Sequence, residues 1–223
     1  MDLKENTNQV FQQVTKAIQE TGREDGSVSV IAVTKYVDIA TAANLIDQGV
    51  KHIGENRVDK FLEKYHALSD KDVTWHLIGS LQRRKVKDVI PYVDYFHALD
   101  SLKLAQEIQK RADRTVKCFL QVNISGEESK HGFSKEELLT VLQDLSSLDK
   151  IEYVGLMTMA PFEAQTEELQ KIFKETQELQ RYIREQQFPN MPMTELSMGM
   201  SRDYKEAIQS GSTFVRIGTA FFK

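Results

Sequence analysis

Along this chain short apolar runs take turns with longer stretches whose apolar residues recur every three or four positions, and the alternation continues to the C-terminus. Short apolar runs read as strands and periodic stretches as helices, so the repeat predicts consecutive βα units. The stretch from about Leu3 to Thr21 puts Val10, Val14, Ala17 and Ile18 on one helical face and stops at Thr21-Gly22, a lead-in helix. Strands are predicted at Val28 to Thr34, Lys51 to Gly54, Thr74 to Ile78, Tyr95 to Ala98, Lys117 to Asn123, Tyr153 to Leu156, Met193 to Leu196 and Thr213 to Ile217. Helices fall between them near Asp38 to Gln48, Arg57 to Leu68, Arg83 to Ile90, Ser101 to Ala112, Ser134 to Leu145, Thr166 to Gln187 and Ser201 to Gln209, with Gly49 and Gly211 placed as stops. Eight strands separated by seven helices, with the extra helix in front, predict an α/β fold: a single (β/α)8 TIM-type barrel. No linker or low-complexity tract divides the chain, so residues 1–223 are expected to form one domain. An open doubly wound sheet is the other arrangement the pattern allows.

Composition narrows the function classes. Hydrophobic residues make up 40% and charged residues 28%, the balance of a soluble globular protein. The 29 basic and 33 acidic residues are mixed along the chain for a net charge of -4, which offers no basic footprint for nucleic acid. Cys118, the single cysteine, lies in the apolar run Val116 to Val122 and is expected as a buried strand residue in a reducing compartment. Met1 to Gln9 is polar, and no apolar run reaches membrane-spanning length, so a cytoplasmic protein with no membrane partner is expected. The five histidines fall at no metal-ligand spacing, and no Gly-x-Gly-x-x-Gly or Walker loop occurs, so no metal and no nucleotide are expected.

In a barrel the reactive groups sit where strands end, and Lys35 holds such a place after Val30-Ile31-Ala32-Val33-Thr34. It reads either as a snorkelling lysine or, if desolvated in the mouth, as a carbonyl nucleophile. Ser197-Met198-Gly199-Met200-Ser201-Arg202-Asp203 is expected directly after the seventh strand, with Ser197 and Gly199 letting backbone approach a ligand and Ser201 capping a helix whose N–H groups face an anion. A plain capped helix start is the alternative. The eighth strand closes with Arg216-Ile217-Gly218-Thr219, adding a fixed cation, a small residue and a hydroxyl where barrels often bind phosphate. Asn56, in Gly54-Glu55-Asn56-Arg57, either bonds a ligand ring or caps a helix; His76 is either a satisfied core residue or lines the mouth; Met157 is either a soft wall for a planar ring or core filling. Ser129-Lys130-His131-Gly132 places a second lysine near the same rim.

Taken as a set, Ala32-Val33-Thr34-Lys35, Ile53-Gly54-Glu55-Asn56-Arg57, His76-Leu77-Ile78-Gly79-Ser80-Leu81-Gln82, Gly155-Leu156-Met157, Leu196 to Asp203 and Arg216-Ile217-Gly218-Thr219 resemble, in the same order and over essentially the whole chain, the pyridoxal phosphate homeostasis proteins, also called the proline synthase co-transcribed family. The resemblance implies the N-terminal barrel of alanine racemase, with pyridoxal 5'-phosphate (PLP) held as an internal aldimine on Lys35. It implies further that Ser201 with the backbone around Gly199, Gly218 and Thr219 holds the phosphate, that Arg216 faces the pyridine nitrogen, and that Asn56, His76, Met157 and Ser197 line the cofactor.

Three functions use such a lysine: a protein that buffers or delivers PLP, an amino-acid racemase, and a phosphate-sugar aldolase. Racemisation needs a second base and a wall against water, which in alanine racemases come from a further β domain and a partner subunit, as the resemblance implies. This sequence ends at Lys223, four residues after Thr219. A guanidinium facing the ring nitrogen would also weaken the ring as an electron sink. The expectation is therefore a monomeric PLP carrier that is not an efficient enzyme, with PLP-dependent apoenzymes as recipients.

Overall fold

The eight apolar runs pair in chain order as a closed parallel barrel, with β1 hydrogen-bonded to both β2 and β8. Closure decides against the open sheet. The structure, a computed structural model, describes residues 2–127 and 131–223. Helix α1 (Leu3–Glu20) leads into β1 (Ser29–Val33), α2 (Ile39–Asp47), β2 (His52–Glu55), α3 (Val58–Ala67), β3 (Thr74–Leu77), α4 (Val86–Val89) and β4 (Tyr95–Leu99). There follow α5 (Leu102–Arg111), β5 (Val116–Gln121), α6 (Lys135–Ser146), β6 (Ile151–Met157), α7 (Thr166–Glu185), β7 (Glu195–Met200), α8 (Tyr204–Gln209) and β8 (Phe214–Ile217). Local chemistry sets many of the boundaries. Asp38 caps α2 by accepting the Thr41 N–H at 2.8 Å, Ser134 and Glu137 close a reciprocal box at the start of α6, and Gly49 ends α2 in left-handed backbone.

Side chains alternate between two sides of each strand, and the two sides meet different partners. Outward residues such as Trp75 pack on the helices, where Phe61 of α3 meets its indole edge-on. Inward, His52, His76, Tyr95, His97, Phe119 and Phe214 contact one another ring to ring. This inner layer is aromatic and polar rather than the usual branched aliphatic filling. Cys118, on the outward side of β5, is buried, and burial pushes its thiol up.

The chain's two ends are joined. Asn6 of α1 donates to the carbonyls of Phe221 and Lys223 at 3.0 and 2.9 Å, and Phe11 meets Phe221 edge-on. Among the described residues no helix is long and apolar enough to cross a membrane.

Three expected elements differ. The seventh strand runs Glu195–Met200, not Met193 to Leu196, because Met193 takes left-handed backbone (φ 47°) that a strand does not accommodate. Ser197 and Gly199 therefore belong to the strand itself. The helix expected at Ser201 begins at Tyr204, and Ser201 does not cap it; the Asp203 carboxylate instead accepts the Met200 N–H at 2.6 Å and closes a turn. Only Val86–Val89 of the stretch Arg83 to Ile90 is α-helical, since Pro91 has no N–H to continue the ladder.

Candidate functional site

Parallel strands all end on the same side of a barrel, so the residues just past them form one mouth. Lys35 stands two residues beyond β1. Thr34, just before it, is buried and clamped: its N–H donates to the Gly54 carbonyl at 3.0 Å, its hydroxyl donates to Glu55, and its carbonyl accepts from Lys64 at 2.7 Å. Lys64 also pairs with Glu55 in an ion pair closed to solvent, and Glu55 Oε2 is left with no partner among the described residues. The Lys35 side chain is exposed, with Nζ 4.7 Å from the centroid of the Tyr36 ring. The lysine therefore does not lie sunk in the mouth.

Next to β1, the end of β8 comes close. Gly218 packs so that a Cβ on it would stand 3.4 Å from the Val33 carbonyl oxygen, two residues before Lys35. The Gly218 N–H donates to Ser201 Oγ at 3.3 Å, tying the loop after β7 to the loop after β8. Thr219 follows, exposed. Among the described residues, the backbone N–H groups of Arg202 and Thr219 have no acceptor within the protein. An amine, two hydroxyls and free N–H donors thus share one rim, a donor set suited to a phosphorylated carbonyl compound.

Asn56 lies at the end of β2 and does not cap α3, whose cap position is held by Arg57 without a side-chain bond. Its side-chain amide has no hydrogen bond among the described residues. Met157 is buried at the end of β6, in register with Ser197 and so on the same face. At φ 97° the missing Cβ of Gly199 would lie 2.7 Å from Ala207 Cβ and 2.9 Å from Tyr204 Cα, so the space left by its absent side chain belongs to α8. Ser129 and Lys130 lie outside the described residues.

Below the rim, Arg216 is buried and donates to Ser197 Oγ at 2.6 Å and to the Thr158 carbonyl at 3.0 Å. Burial lowers its pKa to about 10, so it remains a cation at neutral pH. Ser197 Oγ lies 2.7 Å from His97 Nδ1, and His76 bonds both His97 and His52. His76 thus sits in the barrel interior rather than on the rim, with both ring nitrogens engaged. Burial pushes His76 and His97 well below the usual histidine range; the neighbouring His97 adds to the effect on His76, and Arg216 to that on His97. Among the described residues no cluster of three or more His, Cys, Asp or Glu could hold a metal ion.

Sequence reasoning missed Glu55, Lys64, His52, His97 and Thr158. Lys64 carried a signal, falling in phase with Val58, Phe61 and Leu68 on the buried face of α3.

The family model of the alanine racemase N-terminal domain matches residues 8–223. A pyridoxal phosphate homeostasis protein of Aquifex aeolicus is 36% identical over 225 residues, covering 100% of this chain and 98% of the relative. A solved structure from Bifidobacterium adolescentis superimposes with a TM-score of 0.94 at 35% identity, over 99% of this chain and 94% of that one. PipY of Synechococcus elongatus, solved with PLP bound, has a TM-score of 0.88 and 32% identity over 100% of both chains. Matched over its full length by relatives that share this barrel, the chain belongs to the pyridoxal phosphate homeostasis protein family, built on the alanine racemase N-terminal domain.

Proposed function

We propose that this protein binds PLP at the barrel mouth through a Schiff base to Lys35 and serves PLP homeostasis, buffering the cofactor or delivering it to apoenzymes. The observation that carries the reading is the contact between the ends of β1 and β8, which brings the strand end leading to Lys35 against Gly218, whose N–H is tied to Ser201. The full-length likeness to a PLP-bound protein supports it. PLP supplies an aldehyde carbon that is electrophilic toward amines. Lys35 offers the amine, the Ser201 hydroxyl, held by the Gly218 N–H, takes the phosphate with the N–H of Thr219, and Arg216 offers a fixed cation to the ring nitrogen. Asn56 and Met157 line the ring, with Ser197 and His76 behind Arg216. The exposure of Lys35 leaves it open to water and to an acceptor amine, which suits exchange of cofactor and not retention of reactive species. We assign the role to one domain over residues 1–223, acting in the cytoplasm as a monomer without efficient turnover.

An absorbance spectrum before and after borohydride, followed by peptide mapping, tests the reading. A visible or near-ultraviolet band and a pyridoxyl adduct on Lys35, lost in Lys35→Ala, are expected; undiminished adduct in Lys35→Ala refutes the assignment. The same holoprotein with L-alanine in deuterated water should show negligible Cα proton exchange by NMR, and exchange at the rate of a dedicated racemase would replace the carrier with an enzyme.

A further inference from the structure

A line of hydrogen bonds crosses the barrel interior from β2 to β8. His52 Nδ1 lies 3.0 Å from His76 Nε2, His76 Nδ1 lies 2.8 Å from His97 Nε2, and His97 Nδ1 lies 2.7 Å from Ser197 Oγ, which accepts from Arg216 Nη1 at 2.6 Å. His52 is the first residue of β2, so the line runs from the end of the barrel opposite the mouth to the cation beneath the rim.

The polarity of this line follows from the inventory of donors. A guanidinium only donates, so Ser197 Oγ must accept from Arg216. Its other partner among the described residues is His97 Nδ1, so the single hydroxyl proton goes there. His97 Nδ1 is then bare and its proton is on Nε2, pointing at His76 Nδ1. The same logic puts the His76 proton on Nε2, pointing at His52 Nδ1, and leaves His52 protonated on Nε2. Reversing the line strands the Ser197 proton without an acceptor in a buried place. Adding a proton to any of the rings sets two hydrogens against each other in one link. Burial of His76 and His97, with Arg216 near His97, disfavours that charge in any case.

We propose that Ser197, His97, His76 and His52 form a one-way hydrogen-bond relay that positions the Arg216 guanidinium and couples its bonding state to the hydrogen bonding of the His52 ring nitrogens at the far end of the barrel. The histidines act through Arg216 and are positioning residues. The proposal rests on the reading above only in taking the ligand at Arg216 to be the PLP ring nitrogen; the relay itself is a property of the protein alone. A ligand atom that accepts from a remaining Arg216 N–H shifts the guanidinium, and the shift reaches His52 through links that each have one donor and one acceptor.

Nitrogen-15 NMR of histidine-labelled protein without cofactor, near neutral pH, reads the tautomers directly. All three relay histidines should have bare Nδ1 and protonated Nε2; a protonated Nδ1 on any of them would overturn the proposal. Ser197→Asp replaces the donor by a group that only accepts, so His97, His76 and His52 should all move their proton to Nδ1, while exposed His66 and His131 stay as they were. A change confined to His97 would overturn the coupling, as simple local packing would give that result. If Ser197→Asp does not fold, His76→Phe serves: His97 keeps its proton on Nε2, and His52 loses its single tautomer. A unique His52 tautomer retained in His76→Phe would overturn the coupling. In the wild type, PLP whose binding is followed by absorbance should shift the His52 ring nitrogens, and inorganic phosphate, which has no ring nitrogen, should not. Bound PLP with a silent His52 would overturn the coupling to the ligand. Absence of PLP binding with the tautomers as expected would refute the proposed function and leave the relay standing.

Discussion

Thr34 spends its N–H, its hydroxyl and its carbonyl on the surrounding protein, and through it the root of Lys35 is anchored while the amine stays in solvent. Glu55 and Lys64 do this work from β2 and α3, closed to solvent. A buried ion pair is weak evidence for net stability, but here it orders a strand end. On the other side of the mouth Ser201 has two uses: it accepts from Gly218, and in the proposed function its hydroxyl donates to phosphate. Ser201→Ala should therefore weaken PLP binding by about tenfold, roughly 1.4 kcal/mol for one charge-assisted hydrogen bond, while affinity for pyridoxal without phosphate changes little. Absorbance titration of both vitamers measures this; an equal loss for the two would remove Ser201 from phosphate binding. Lys35 was legible because a strand-end position needs only local sequence. Glu55 and Lys64 were not, because each looks like an ordinary surface charge until the other is found beside it.

The unit of β7 and α8 shows how an element boundary changes a residue's meaning. With the strand ending at Met200, Gly199 is a strand residue whose backbone (φ 97°) and crowded Cβ direction let α8 pack directly on it. Gly199→Ala would push Ala207 and the Tyr204 backbone aside as well as straining φ, and about 2 kcal/mol or more of stability should be lost. Urea denaturation reads the loss, and an unchanged midpoint would show that α8 can move at little cost. The turn from Met200 to Asp203, held by the Asp203 carboxylate, then carries Ser201 to Gly218. The glycine-rich motif was visible in the sequence, but its division between strand packing and rim was not. Ser at a helix start is so common a cap that the nearer side chain, Asp203, was overlooked.

For the whole molecule, the polar barrel interior has a consequence for acid stability. An unfolded histidine titrates near 6.5, whereas His76 and His97 are held well below that by burial. Between those values the unfolded chain binds more protons than the folded one, so stability is fully present above about pH 6.5 and falls as pH falls. Each histidine contributes a slope of about 1.4 kcal/mol per pH unit in that window. Asp100 and Asp203, held above the usual carboxylate range by burial, act in the opposite sense at lower pH. The urea midpoint should be flat above neutrality and drop below about pH 6.5; a midpoint unchanged down to about pH 5 would show that the interior accepts protons readily.

The period of the apolar residues alone determined that this chain builds βα units, because burial of one face per element is a local demand that sequence states openly; their number and order pointed to a barrel but left an open doubly wound sheet allowed, and the closed pairing of β1 with β8 decided between them. Lys35 and the Gly218-Thr219 rim were legible for the same reason, being defined by where a strand stops. Closure decided the rest. His52, His76 and His97 stand 24 and 21 positions apart, about one βα unit each, and only inward-facing registers on β2, β3 and β4 bring their rings into a line. Ser197 joins that line from 100 positions beyond His97, across a barrel whose last strand has to return to its first. Which side of a strand faces inward, and which distant strand lies across from it, depends on register and curvature summed over the whole sheet, and no local stretch of residues contains that sum.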